Sequence, residues 1–552
     1  MPSLRDIAVG LVVASLLENV AINRLAPELL LADRFSRSIL RFFLINLALY
    51  LTYDIFFRPF FLSPLRYLPG PKDTSLIGET RTEGVHREPG KTFLTWVKTI
   101  PNDGVIRFRG IFNRDRLLLT SEESLRAVLG EHSYDYVKPA PIRNFLTQIL
   151  GNGLILSEGD EHKFQRKHLI PAFQLKQLRN LYPVFWEKSR QLIEVLESEM
   201  KDLGPQGSIE FGVWATRVTL DIIGLAGMGR DFHSLKNTDD ELVDSYNQLL
   251  HPSKEAGAFF AVNLILGSRL TKMLPWHLNE KLVRVTGVLK NYCLELVADR
   301  KNELKTSKAE DRKDIITELI RSNDFKDSEL ADQMLTFLAA GHETTSSAIT
   351  WLCYLLAKHP SYQTSLREEI HSLLPSPSDT TNIPASTLIE SLPLLNAICN
   401  ETLRLYPTVP VTIREAIHPT QIPITNKSGQ SHIIHVPQGT RVLISPWATN
   451  RSPLIWGANS EEFVPERWLG GEGRGQTGGQ ASNYSQITFL HGARSCIGQG
   501  FAKAELKCLA AAIIGRFSVS MADENWPVFP AGVVTIKPGQ GMPLRFERVE
   551  GW

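Results

Sequence analysis

The chain has 552 residues, of which 43% are hydrophobic and 22% charged, and its 60 basic and 59 acidic side chains leave a net charge of +1. This is the composition of a globular protein with ample chain for a large core. It lacks the basic excess of a nucleic-acid-binding protein, so any positive patch must be local. The five cysteines (Cys293, Cys353, Cys399, Cys496 and Cys508) are odd in number and show no CxxC spacing. That argues against a disulfide framework or a zinc ribbon and for free thiols in a reducing compartment.

Two apolar runs open the chain, Ile7–Leu17 and the stronger Phe42–Tyr53, which continues through Phe57 to Arg58-Pro59. A spanning helix needs about 20 apolar residues, and the second run approaches that. Residues 1–67 are therefore expected to be a membrane-anchor region with one or two passes. A cleaved signal peptide would need a small-residue cleavage site, and none clearly follows the first run. Arginines flank both sides of the second run (Arg34, Arg37 and Arg41; Arg58, Arg66 and Lys72), so charge does not orient it. "LPGPKD" (68–73) reads as a stiff, non-helical hinge leading to a body at 74–552.

In the body, Gly104–Gly110 and Arg116–Thr120 read as strands, followed by a helix capped by Ser121. Helical patterns dominate from Asp160 to Ile370, and short strands such as Thr440–Ser445 come later. The expected class is mainly α with a minor β part.

A long helix is predicted from about Ser328 to Lys358, capped by Asp327 or Ser328 with Glu329 at the positive end of its dipole. Apolar residues at 330, 334, 337, 338, 348, 352 and 355 keep helical spacing. Its centre reads "AAGHETTSS". Ala339, Ala340 and Gly341 remove bulk, either for a ligand or for a helix crossing. Threonine hydroxyls there can bond carbonyls one turn back. A zinc-protease HExxH fails because position 346 is Ser346. Next, Glu401 and Arg404 share a helix face, with Arg467 of "PERW" a candidate further partner. A literal GxGxxG at 473–478 opens no helix and reads as a surface loop. Finally, "FLHGARSCIGQG" (489–500) places Cys496 just before a helix N-terminus, near Arg494. Both features favour a thiolate, while the glycines let a flat group approach the backbone.

These four stretches together resemble the cytochrome P450 family. Phe489, Gly492, Arg494, Cys496 and Gly498 match FxxGxRxCxG. Ala340, Gly341, Glu343, Thr344 and Thr345 match the oxygen-activation motif, Glu401 and Arg404 the ExxR pair, and Pro465–Arg467 the PER motif. The resemblance covers about 68–552 and implies a P450 fold, with haem b sandwiched between the long central helix and the Cys-bearing loop. It implies Cys496 as axial iron ligand, with Arg494, Arg414, Arg166 and His162 (where the family often has Trp) at the propionates. Glu343 and Thr344 would relay protons on the opposite face. Glu401, Arg404 and Arg467 would be structural. The loop 139–153, with Phe337, Ala340, Val409, Val411, Thr412 and Val533, would line an apolar substrate pocket.

The implied activity is insertion of one oxygen atom from O2 into an apolar organic molecule, as in fungal microsomal members that make secondary metabolites. Electrons would come from NADPH through a separate flavoprotein, NADPH-cytochrome P450 reductase, with cytochrome b5 a further partner. That reductase is expected to dock on a positive face formed by Lys163, Arg166, Lys167, Lys503 and Lys507. The implied location is the endoplasmic reticulum membrane, with the body facing the cytosol. The alternatives are a P450-fold isomerase or dehydratase that does not use O2, and a non-catalytic haem-binding protein. Retention of Glu343 and Thr344 weighs against both.

Overall fold

The computed structural model describes the chain apart from residues 1–3, 26–34, 73–87, 205–206, 237–254, 256–257, 261, 264–266, 306–311, 380, 427, 472–473 and 551. Asp73 of the expected hinge and Gly473 of the GxGxxG run lie outside the described residues.

The long helix forms over Asp327–Lys358, and its start differs from expectation by one residue. The cap position is Lys326, whose backbone N–H donates to Glu329 Oε2 at 2.8 Å. Glu329 thus satisfies one of the amides that a helix N-terminus leaves open. Its 32 residues span about 48 Å. All seven residues of its apolar series are buried, and the helix runs through the largest core cluster. It crosses Phe211–Met228 at Gly341, where an added Cβ would lie 2.7 Å from Ile223 Cγ1. Gly341 therefore serves a helix crossing, the plainer of its two readings, and the space it saves is filled by a neighbouring side chain.

A five-stranded sheet runs Val105–Arg109, Asp115–Leu119, Arg441–Ile444, Thr412–Ala416, Tyr136–Val137 in spatial order. Only the pair of Asp115–Leu119 with Arg441–Ile444 is parallel. Alternate residues of these strands feed two smaller apolar clusters on opposite faces, as a period of two requires. The helix after the second strand is capped as read, with Ser121 Oγ accepting from Ser124 N at 3.2 Å. The stretch after Gly473 contains a short helical turn, Arg474–Thr477, where a loop is expected.

At the N-terminus, Leu4–Leu25 and Phe35–Thr52 are helices. Asp6–Leu25 and Ser36–Leu62 are long and apolar enough to cross a membrane. The two helices meet along a polar seam, where Asn46 Nδ2 donates to Ser15 Oγ (3.1 Å) and Glu18 Oε2 (2.7 Å). The "LPGP" segment is packed at its start: Leu65 and Leu68, both before the prolines, are buried, and Arg107 N of the first strand donates to Pro69 O at 2.8 Å.

Candidate active site

Cys496 leads into the helix Gln499–Arg516, and its amide donates to Phe489 O at 2.9 Å, closing the loop that carries it. Gly492 (φ 73°) makes the turn, and an added Cβ would strike Leu129 O at 2.0 Å. The Cys496 side chain is exposed. Even so, the surrounding protein is dense enough that burial raises its thiol pKa, against the Gly498 N–H and Arg166, which lower it. The sulfur is thus reachable by solvent and at the same time closely surrounded by protein. The other four cysteines are buried, and burial raises the thiol pKa of each.

Close to Arg166 lies a cluster whose charges do not balance. His162 is 3% exposed and lies 3.1 Å from the Tyr134 hydroxyl. Burial, followed by Arg494, Arg166, Lys138 and Arg414, pushes its pKa down to about 3, so it is neutral at ordinary pH. Arg414 is buried and pushed down to about 10 by burial and then by Arg494. Its Nη1 donates to Thr412 Oγ1 (3.0 Å) and Ile413 O (2.9 Å). Burial, then Arg414, lowers Lys138 well below the usual lysine range. The carboxylate facing this group is Glu158, which pairs with Arg494 and accepts from Lys138 N at 2.8 Å.

Two buried guanidinium groups, Arg414 and Arg494, and the half-buried Lys138 against one carboxylate make an unfavourable arrangement unless further negative charge arrives. A haem presents two propionates, so the donor set fits that cofactor. Arg166, which also acts on His162, bonds the residue before the cysteine. Its Nη1 donates to Ser495 O (2.7 Å) and its Nη2 to Ser495 Oγ (3.0 Å), beside the cysteine. Lys138, Glu158 and Tyr134 went unread in the sequence. The signal available was "VKPAPIR", a lysine at the mouth of the loop assigned to substrate.

On the central helix Thr344 Oγ1 donates to Ala340 O at 2.6 Å, the bond to one turn back that the sequence suggests. His342 Nδ1 and Leu338 O are 2.6 Å apart, and Thr219 Oγ1 donates to His342 O at 3.0 Å. Burial lowers the His342 pKa to about 4. The helix stays continuous through these bonds. Lys537 Nζ lies 4.0 Å from Glu343 Oε1, a neighbour absent from the sequence reading. Glu505, on the cysteine helix, is 1% exposed. Burial raises its carboxyl pKa far above the usual range, against the nearby Thr345 hydroxyl, which lowers it. Both Glu505 carboxyl oxygens and the Thr345 hydroxyl are buried without a hydrogen-bond partner among the described residues.

The ExxR residues form a closed network. Arg404 is 0% exposed and forks onto Glu401 through Nε (2.8 Å) and Nη2 (2.7 Å). Its remaining donors reach the carbonyls of Asn450 (2.7 Å), Ser460 (2.6 Å) and Glu462 (3.0 Å). Glu401 also accepts from Val464 N (3.0 Å) and Trp468 Nε1 (2.9 Å). Arg467 Nε is 3.5 Å from Glu401, and its Nη2 donates to Asn459 O at 2.8 Å.

Of the expected pocket residues, Phe337 is 6% exposed and packs edge-on against Phe173, with ring centroids 5.6 Å apart. Ala340, Val409, Val411 and Thr412 are half-buried and Val533 is exposed. Ile536 joins their segments, its N–H donating to Thr408 O at 2.9 Å while Ser347 Oγ donates to its carbonyl. The expected docking face is smaller than drawn. Lys507 is buried on Glu390 (2.6 Å), Lys503 donates to Asn400 Oδ1 (2.9 Å), and Arg166 is engaged at Ser495. Lys163 and Lys167 remain exposed.

The family model for cytochrome P450 matches residues 110–543. The chain belongs to the cytochrome P450 family. It is 40% identical over 511 residues to cytochrome P450 monooxygenase sphH of Aspergillus fumigatus, covering 91% of this chain and 92% of that one. It is 35% identical to cytochrome P450 monooxygenase ALT8 of Alternaria alternata (90% and 91% covered). It is 36% identical to cytochrome P450 monooxygenase FUM15 of Gibberella moniliformis (85% of each). As a cytochrome P450 monooxygenase this protein is an oxidoreductase, a haem-thiolate enzyme that draws electrons from a redox partner.

Proposed function

We propose that this P450 inserts one oxygen atom from O2 into an apolar organic substrate, by hydroxylation or epoxidation, in secondary-metabolite or lipid metabolism. The observation that carries the proposal is the cluster of Lys138, Arg414 and Arg494 about the single carboxylate of Glu158, together with a solvent-reachable Cys496 beside Arg166. Cys496 would hold the iron of haem b, and Lys138, Arg414, Arg494 and neutral His162 would meet its propionates. When bound, the haem supplies the activation of dioxygen.

The chain's own residues supply position and protons. Arg166, drawn onto Ser495, keeps positive charge beside the sulfur. The Gly498 N–H points at the sulfur and favours its charged form. Thr344 parks its hydroxyl proton on Ala340 O, which leaves its oxygen lone pairs to hold a water or receive a proton. Glu343, at 20% side-chain exposure, bridges solvent and that hydroxyl as the proton source. Loss of this relay in Thr344→Ala is expected to raise the hydrogen peroxide released per NADPH consumed. Unchanged coupling would remove Thr344 from proton delivery.

Residues 1–67 act as a membrane anchor, with the catalytic body (74–552) on the cytosolic side of the endoplasmic reticulum. Electrons arrive from NADPH through NADPH-cytochrome P450 reductase, with cytochrome b5 as a second donor. Lys163 and Lys167 form the remaining exposed positive face for that docking. Charge reversal at both is expected to raise the reductase concentration needed for half-maximal turnover and to flatten its salt dependence. An unaltered salt response would place the docking face elsewhere. Product analysis on apolar candidate substrates, with the carbon monoxide spectrum of the reduced protein, tests the whole reading.

A further inference from the structure

The anchor and the body are bolted together. The second apolar helix continues past Thr52 as a wider, π-type helix over Tyr53–Leu62 that contains Pro59. Proline has no N–H to give to the helix ladder, and side chains from the body bond carbonyls in this stretch. Asn113 Nδ2 donates to Ile55 O (2.9 Å), and Arg107 Nη2 donates to Pro59 O (2.9 Å). Asp54, 7% exposed, pairs with Arg58 (3.1 Å) and Arg114 (2.6 Å). The Arg109 guanidinium lies 4.1 Å over the Phe60 ring. The helix that leaves the anchor therefore has a fixed orientation on the first strand pair.

Two surfaces meet at this junction. One is aromatic: Tyr53, Phe56, Phe57, Phe60, Phe61 and, from the tip of the strand pair, Phe112 are all exposed, Phe57 by 50% and Phe112 by 51%. Six exposed aromatic rings at one junction are unusual for a water-facing surface. They are what a helix carries where it leaves the acyl region of a bilayer. The other is basic: a cleft of about 250 Å³ is lined by Arg66, Arg107 and Arg109 together with Phe60, Leu68, Gly70, Pro71 and Phe108. With Arg58 and Arg114, five arginines stand here against Asp54 and Asp115. Burial and the neighbouring Arg107 lower the Arg109 pKa, a repulsion that an anion would relieve.

We propose that this junction is a seat for anionic phospholipid. The aromatic collar lies in the headgroup–acyl boundary, and the cleft of Arg66, Arg107 and Arg109 takes one anionic headgroup. The occupant is argued from continuity. The collar ends a helix of 27 residues, Ser36–Leu62, that is long and apolar enough to cross a bilayer, so the cleft opens at headgroup level. The seat rests on the reading of residues 1–67 as a membrane anchor. It fixes the depth and tilt of the catalytic body, and it is independent of which substrate is oxidised.

The test uses the full-length holoenzyme in vesicles. Its haem occupies Cys496 and its other thiols are buried. A nitroxide on Phe112→Cys is compared with one on Leu454→Cys, a site that is 66% exposed and outside the collar. The Phe112 label is expected to collide preferentially with dissolved oxygen, and the Leu454 label with a water-soluble nickel chelate. Adding phosphatidylserine to phosphatidylcholine vesicles is expected to immobilise the Phe112 label. Arg66→Gln, and separately Arg109→Gln, should raise the phosphatidylserine content needed for half the effect by roughly fivefold each.

Each contrary result has a distinct meaning. Protein that fails to float with vesicles overturns the anchor reading itself. Floating protein whose Phe112 label is as open to nickel as the Leu454 label overturns the collar. A phosphatidylserine effect that is absent, survives both arginine changes, or is reproduced by inorganic phosphate over neutral vesicles overturns the headgroup site.

Discussion

Replacing Cys496 by serine is expected to abolish the thiolate-type Soret band of the reduced carbon monoxide complex and to reduce product formation to background. A serine hydroxyl does not ionise where a thiol does, so the substitution removes the charged ligand while leaving the loop's shape. The loop itself is held by other bonds, including Cys496 N to Phe489 O and the tight turn at Gly492, so the protein should still fold. The same geometry makes a subtler expectation for Arg166→Gln. The native guanidinium bonds Ser495 O and Oγ and lowers the pKa of a thiol that burial otherwise raises. Without it, a larger share of the reduced protein should show the spectrum of a neutral ligand. An undiminished thiolate band in Arg166→Gln would assign that charge control to the Gly498 amide alone.

The second large effect concerns stability. Arg404→Ala is expected to cost about 3–5 kcal/mol, because it leaves the Glu401 carboxylate buried without its main counter-charge. Both side chains are 0% exposed, so water cannot take over. The loss should appear as a large fall in the urea midpoint, or as failure to accumulate folded protein. Arg404→Lys should fall between alanine and wild type. A lysine keeps the charge but lacks the planar fork that reaches Glu401 and three carbonyls at once. A lysine variant as unstable as the alanine variant would show that the fork's geometry, and not its charge, supports this region.

The legible parts of this protein were those with local causes. The central helix was readable because apolar spacing and a charged first turn act within a few residues of each other, and the reading missed its cap by one position. The first two strands and the Ser121 cap were legible for the same reason. The thiol loop stood out through a lone cysteine, its glycines and the helix that follows, all close together along the chain. Arg467 was correctly placed near Glu401 from the order of short motifs. Trp468, which donates to the same carboxylate at 2.9 Å, was not found, because a tryptophan beside a proline turn reads as packing.

Other features depended on contacts between distant segments, and there the sequence reading erred or was silent. Gly341 carries no sign of Ile223, more than a hundred residues earlier, against which it packs. Lys503 and Lys507 are charged and look exposed, yet Lys507 is buried on Glu390 and the half-buried Lys503 is tied to Asn400. The bond that Arg107 N makes to Pro69 O was not foreseen, because the strand that supplies it lies almost forty residues further on.

The sequence by itself determined the chemistry. Cys496 before a helix, the Glu343–Thr344 pair in the central helix and the Glu401–Arg404 spacing are each set by neighbours along the chain, and together they specify the family. The tertiary structure alone decided the charge balance and the orientation. Lys138, Arg414 and Arg494 come from three separate segments, and only their convergence on Glu158 creates a demand for negative charge of the kind haem propionates would meet. Likewise, only the docking of Tyr53–Leu62 onto the first strand pair gives the N-terminal apolar helix a fixed angle to the body. Electrostatic excess and rigid orientation are sums over parts that are close in space and distant in sequence.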